Sequence, residues 1–322
     1  MNAHPEGLAA LDDDDRQTTL ARSFVLEGIG LHSGRRTRVR VAPAPVDHGL
    51  RIATGTRPPV QVSAWTVTDT RLGTTLGAGS SSIRTVEHWL AALAGLGIDN
   101  AYLYLDGRTS PVLDGSAVPS EGVEFPILDG SALPVVEAIL NRGRRRQDKA
   151  RRYAVVCRSV EVRGPGHAWA RLEPYAACRL EGDYSFRAPI GRQRMQFDMT
   201  ESTFIERLAP ARTFGFTEDI ERLRRSGRAL GGGLHNAVVF DASGVVNAEG
   251  LRDPSEVALH KLLDAWGDLS LFGMPWRGRY IGHRSGHALN VALVMRALTT
   301  KGAVRIESPA PLRVFREKAV AS

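Results

Sequence analysis

The chain has 322 residues, 43% of them hydrophobic and 24% charged, a balance near the globular average that excludes wholesale disorder and fibrous architectures. No window approaches roughly 18 consecutive apolar residues, so no membrane span is expected, and two cysteines, Cys157 and Cys178, cannot build a disulfide framework. The formal net charge of +7 is concentrated between Arg142 and Arg152, where seven basic residues face only Asp148; with no interleaved aromatics, that run reads as a solvated linker and not as a nucleic-acid surface.

Residues 1–20 are acidic, include Asp12 to Asp15 and show no periodicity, so they read as a mobile tail without the pattern of a secretory signal. Together with the cysteine usage, this predicts a reducing, cytoplasmic setting. Arg38 to Val41 alternates with period two, as a half-buried strand does. Gly28, Gly30 and Gly34 bracket a tight turn between strands. Thr85 to Ala94 predicts a helix, with Thr85 as N-cap, Val86, Leu90 and Leu93 at helical spacing and Gly95 as terminator. A strand is expected over Ala101 to Leu105 and a short helix over Leu133 to Leu140.

The second half predicts strands at Tyr153 to Val162, Ala168 to Leu172, Asn236 to Phe240 and Val304 to Ile306. Helices are expected at Thr200 to Glu206, Asp219 to Arg225, Ser255 to Phe272 and Val291 to Thr299. Strands and helices mix without strict βαβ alternation, which predicts an α+β fold. The expected domains are 21–142 and 153–322, joined by a basic linker at 143–152. One segment is duplicated: Ser110 to Pro119 recurs fifteen residues later as Phe125 to Pro134, each copy containing Asp-Gly-Ser-Ala, which is turn chemistry.

Three stretches carry chemistry. On the longest helix, His260 and Asp264 are four residues apart and share a face, Asp268 extends the stripe and Lys261 lies beside it. Leu259, Leu262, Leu263, Trp266 and Leu269 surround them, and a buried carboxylate must be satisfied either by a metal or by ion pairing with Lys or Arg. Glu87 and His88 stand together at the start of the first helix, where the helix dipole favours an ionised Glu87; alone, they also suit a solvated helix start. Ser285-Gly286-His287 predicts a turn that leaves His287 free of a helix to meet a substrate, although a loop histidine is as readily a surface residue.

Combined, two histidines and one aspartate make three metal ligands with a fourth position open, as in catalytic zinc sites. Such zinc lowers the pKa of bound water to roughly 7. Glu87 is placed to accept the water proton, and His287, held by a carboxylate such as Asp268, to protonate a leaving nitrogen. This is the equipment of an amide hydrolase, without the His-Glu-x-x-His spacing of common metalloproteases.

Six ordered motifs resemble those of the UDP-3-O-acyl-N-acetylglucosamine deacetylases, the zinc enzymes of the committed step of lipid A synthesis in Gram-negative bacteria. They are Gly28 to Gly34, Thr85 to His88 with Leu93 to Asn100, Pro126 to Ala132, Ala211 to Phe216, His260 to Asp268 and Ser285 to Asn290, spread over about residues 21–310.

The resemblance implies two similar domains, each a small sheet packed with helices, and an active site in the cleft between them. It implies Zn2+ on His88, His260 and Asp264, Glu87 as general base and His287 as general acid oriented by Asp268. Thr213 would stabilise the oxyanion, and Lys261 would add positive charge near the reacting centre. A second-domain insert at about 214–240, with Phe214 and Ile220, would form the acyl-chain passage, with Leu31 at its mouth and His32 on the substrate. The implied partner is a small molecule, an acylated UDP-amino sugar, bound by a monomer without nucleic acid or stable membrane insertion. The family carries one Asp-Gly-Ser-Ala segment after an acidic residue; Glu124 gives the second copy here that form, while the first copy sits at the family's distance after Asn100, so the sequence leaves both copies open for that position. The competing readings are a related zinc amidase on another acylated sugar and a catalytically silent binding or regulatory homologue.

Overall fold

The period-two pattern of the early strands fixes which face is buried: β-strand 36–43 turns Thr37, Val39 and Val41 inward and leaves Arg36, Arg38 and Arg40 in solvent. The computed structural model describes residues 15–106 and 122–309. Strands β1 (Arg16–Leu20), β2 (Phe24–Ile29), β3 (Arg36–Pro43), β4 (Leu50–Thr54), β5 (Val60–Gln61), β6 (Val67–Asp69), β7 (Thr75–Leu76) and β8 (Ile83–Arg84) precede helix α1 (Glu87–Gly95). Strands β9 (Ala101–Asp106) and β10 (Val123–Glu124) and helix α2 (Leu133–Arg142) complete the first half.

The second half opens with β11 (Arg144–Ala150), β12 (Tyr153–Val156), β13 (Val160–Arg163), β14 (Trp169–Glu173), β15 (Cys178–Ser185) and β16 (Arg192–Asp198). A single turn α3 (Glu201–Thr203) runs into a π turn at Phe204–Leu208, followed by β17 (Phe214–Phe216), α4 (Thr217–Arg225) and β18 (Val238–Phe240). Helix α5 (Glu256–Leu269), strand β19 (Trp276–His283), helix α6 (His287–Thr299) and strand β20 (Val304–Glu307) close the described chain.

The fold is α+β. A five-stranded sheet ordered β2-β3-β9-β4-β5 and a four-stranded sheet ordered β10-β8-β7-β6 serve the first half. A seven-stranded sheet serves the second, ordered β13-β14-β19-β12-β20, with β15 on β19 and β16 on β15. Both halves share one cluster of buried apolar side chains, running from Leu20 to Ala303.

Several sequence expectations are corrected. The expected tail to residue 20 and the expected linker are partly one antiparallel ribbon: β1 pairs with β11, with Leu20 opposite Arg144. Charge misleads here because most of β11 faces solvent while Gln147 points inward. The Gln147 amide donates to the Ala44 carbonyl at 2.9 Å and accepts from Asn100 at 2.8 Å. Arg144 and Arg151 pair with Glu201 and Asp99, and Lys149 pairs with Asp47. Tyr153 to Val162 is two strands and not one. The first Asp-Gly-Ser-Ala copy lies outside the described residues. In the second, Asp129 accepts from the Ser131 amide and hydroxyl just before α2, and Pro126 bridges to Gly30.

Helix α1 is buried from Glu87 to Leu93, as expected of a helix apolar on most sides. Its N-cap is Val86, not Thr85; Thr85 sits at φ 57° and donates its hydroxyl to Glu124 at 3.1 Å. At the other end the left-handed residue is Gly97, not Gly95: Ile98 donates back to the Leu93 carbonyl at 2.9 Å, closing a Schellman turn.

Helix α5 crosses α1 at Gly267, where a Cβ would stand 2.1 Å from the Glu87 carbonyl oxygen. Elsewhere in a helix, Gly to Ala stabilises by about 1 kcal/mol through propensity. At this crossing overpacking, typically about 1–3 kcal/mol or more, opposes that gain and outweighs it. Gly267→Ala is therefore expected to lower the urea midpoint; a midpoint at or above wild type would show that the two helices do not need this contact.

Candidate active site

The crossing of α1 and α5 brings three donor-bearing side chains together. His88 lies in the first turn of α1, and His260 and Asp264 lie one turn apart on α5; all three are buried. The two imidazoles meet edge to face, 4.8 Å between centroids. Their Nε2 atoms each lie 3.4 Å from the same oxygen, Asp264 Oδ1. Two ligands of a four-coordinate ion with bonds near 2.0–2.1 Å stand about 3.3–3.4 Å apart. The spacing therefore fits a divalent metal.

The protonation pattern fits it too. His260 Nδ1 donates to the Ala211 carbonyl at 3.0 Å, so its Nε2 presents a lone pair. Burial lowers the His260 pKa to about 3 against the pull of Asp264, keeping the ring neutral. A lone pair facing a carboxylate oxygen at 3.4 Å is repulsive unless a cation lies between them. Burial pushes the Asp264 carboxyl up, but the Lys261 ammonium above all, with His287, outweighs it and holds the group well below its ordinary value. The two uses expected for the α5 carboxylate divide between its oxygens: Oδ1 faces the histidines, and Oδ2 accepts from Lys261 Nζ at 2.7 Å.

Glu87 and His287 flank this group. Burial raises the Glu87 pKa, with His287 and His88 acting against it; the helix start thus yields a carboxylate of raised proton affinity, not a solvated one. Glu87 Oε2 accepts from the Thr74 amide at 3.0 Å. His287 is the first residue of α6, not a loop residue. Its Nδ1 donates to Asp268 Oδ2 at 2.9 Å, while Nε2 lies 3.9 Å from Glu87 Oε1 and 3.8 Å from Asp264 Oδ2. Burial lowers the His287 pKa, but Asp268, Glu87 and Asp264 outweigh it and bring it to about 9; a dication among these carboxylates would pull it back down.

These groups line a cavity of about 670 Å³ with Leu31, His32, Thr213, Phe214 and Ile220, so all the residues singled out in the sequence converge on it except Asp268, which stands behind His287. The predicted insert is a small βαβ unit in which β17 and β18 pair in parallel around α4. It supplies an apolar limb, with Phe216, Leu223 and Val239 beside Ile220. Phe214 meets His260 edge-on at 6.2 Å, joining that limb to the polar end. Thr213 is fixed through its backbone, by Gly130 and Val238. His32 donates from Nε2 to the Leu72 carbonyl at 2.9 Å, and its amide donates to Glu124.

Sequence reasoning missed Thr74, Asn290 and Tyr280. Asn290 Nδ2 donates to Asp268 Oδ2 at 2.9 Å and Tyr280 Oη donates to Asn290 Oδ1 at 2.6 Å. Asn290 belongs to the last matched motif, so a signal existed there; Thr74 lies in a stretch without periodicity and had none.

Residues 17–299 match the family model described as UDP-3-O-acyl N-acetylglycosamine deacetylase (LpxC). Curated proteins named UDP-3-O-acyl-N-acetylglucosamine deacetylase are similar over most of their length. The one from Syntrophus aciditrophicus is 40% identical, covering 88% of this chain and 86% of its own. That from Acidithiobacillus ferrooxidans is 40% identical, covering 88% and 90%. A relative from Anaeromyxobacter is 41% identical, covering 90% and 91%. The chain belongs to the UDP-3-O-acyl-N-acetylglucosamine deacetylase family.

Proposed function

We infer that this protein hydrolyses the N-acetyl group of UDP-3-O-acyl-N-acetylglucosamine and releases acetate, the committed step of lipid A biosynthesis. The observation that carries the reading is the convergence of His88, His260 and Asp264 beside Glu87 and His287, in a cavity with an apolar limb. Family membership supports the substrate. Two imidazoles whose Nε2 atoms each stand 3.4 Å from one oxygen of a buried carboxylate suit zinc. When bound there, zinc acidifies water and polarises an amide carbonyl.

The chain's own residues do the rest. Glu87, buried and of raised proton affinity, accepts the proton of the attacking water. His287, with its pKa raised to about 9, carries a proton on each ring nitrogen: Nδ1–H stays on Asp268, and Nε2–H, presented to the cavity, passes to the amine as the amide C–N bond breaks. Thr213 faces the developing oxyanion. Lys261, although paired with Asp264, leaves the polar end less negative toward a nucleotide diphosphate. Leu31, Phe214 and Ile220 take the acyl chain, and His32 contacts the sugar. No helix among the described residues is long and apolar enough to cross a membrane. The proposed setting is the cytoplasm, with the protein acting as a monomer.

Acetate release from the UDP-sugar tests this directly. A chelator is expected to abolish it and zinc to restore it; activity that survives complete metal removal would end the metal-dependent reading. His287→Ala is expected to keep its metal and lose about 10²–10⁴-fold in kcat, and unchanged turnover would remove His287 from the chemistry. His260→Ala is expected to lose bound metal, as measured on the purified protein.

A further inference from the structure

Thr74, wholly buried in the loop before β7, donates from both its backbone and its side chain, accepts from the Val86 amide at 3.3 Å, and places its hydroxyl 3.4 Å from His287 Nδ1. Its backbone amide donates to Glu87 Oε2 at 3.0 Å, and its hydroxyl donates to Asp268 Oδ1 at 2.6 Å. The other oxygen of Asp268 receives His287 Nδ1 and Asn290 Nδ2. One residue therefore touches both the carboxylate that takes a proton and the carboxylate that holds the imidazole which gives one. The loop is pressed close: Gly73 sits at φ 142°, and a Cβ there would come within 2.9 Å of Glu87 Oε1.

We propose that Thr74 is a positioning residue that sets Glu87 and the Asp268–His287 pair relative to one another, fixing the His287 ring with Nδ1 on Asp268 and Nε2 toward the cavity. The physical case is one of degrees of freedom. A carboxylate can rotate about its last bond, and Asn290 and His287 both hold the same oxygen, Oδ2. Thr74 holds Oδ1 and so fixes the plane of the group. Asn290 is itself anchored by Tyr280, which in turn meets Ser285 Oγ at 2.8 Å; the far side is rigid, and the hydroxyl of Thr74 completes the clamp. Partners of this kind, one step removed from the reacting groups, commonly matter about 10–100-fold.

The inference rests on the deacetylase reading for its kinetic arm only. Thr74→Val keeps the backbone amide and the shape of the side chain but removes the hydroxyl, and Thr74→Ser restores it. For Thr74→Val the expectation is a kcat lowered about 10–100-fold with KM within about threefold and metal content at the wild-type level. The serine variant should recover most of the loss. Nitrogen-15 spectra of the His287 side chain, recorded on both metal-free and metal-loaded protein, should show the Nδ1–H resonance displaced by valine and returned by serine. Wild-type kcat in Thr74→Val, serine performing no better than valine, lost metal in the valine variant, or an unmoved resonance would each overturn the proposal. If the wild-type protein releases no acetate, the deacetylase reading falls, and the resonance still decides whether Thr74 holds the imidazole.

Discussion

The close crossing of α1 and α5 is the constraint on which the rest of the site depends. Gly267 presents no side chain where the Glu87 carbonyl passes, so the helices meet backbone against backbone. Ordinary helix pairs lie about 8–10 Å apart, set by the side chains at their contact; a glycine at the crossing puts this pair at the short end. From that point the donors follow by helical geometry. Asp264 is three residues before Gly267 and Asp268 one after it, while Glu87 and His88 lie at the end of α1 that touches α5. A shift of one ångström between the helices would carry the His88 imidazole away from Asp264 Oδ1 and His260, which ride together on α5, and the buried apolar cluster around both helices resists that shift.

Three buried carboxylates crowd this crossing, and the structure gives each a different set of donors. Asp268 receives a hydroxyl, an amide and an imidazole N–H. Asp264 receives the Lys261 ammonium on one oxygen. Glu87 receives one backbone N–H. Burial raises the proton affinity of Glu87, with a single backbone donor on its carboxylate, which marks it as the group suited to accept a proton. Asp268, gripped on both oxygens by three donors, suits an orienting role; Asp264 is kept anionic by its lysine and suits a cation. The roles proposed for the three carboxylates agree with these donor sets.

What was legible in the sequence was local. His260, Asp264 and Asp268 declare a shared face because helical spacing is written in adjacent turns, and Glu87 and His88 declare a helix start because capping chemistry is short-range. What was not legible depends on distant partners. Thr74 acquires meaning from Glu87 together with Asp268, the latter 194 residues away in sequence, and β1 from β11. The basic run misled because charge suggests solvent exposure, which is true of most of β11 yet says nothing of its single inward glutamine. His287 misled in a smaller way: Gly286 suggested a free turn, but the glycine is the N-cap of α6. The imidazole stands at a helix start, where the backbone fixes it more firmly than a loop would.

The βαβ insert adds an argument about specificity. Its apolar limb and the metal-binding end share one wall, because Phe214 touches His260 edge-on while Ile220 packs against Gly215 one residue further along. On the proposed reading, an acyl chain entering that limb gains about 0.8 kcal/mol for each methylene it buries. None of that energy stabilises a transition state by itself, since the chain does not react. It can act through placement: a chain anchored against Phe214 holds the attached sugar beside His260 and limits the motion of its amide relative to Glu87 and His287. A substrate with a short chain should then fail in turnover as well as in binding, because the strand that carries Phe214 lines both the apolar limb and the end where the amide reacts.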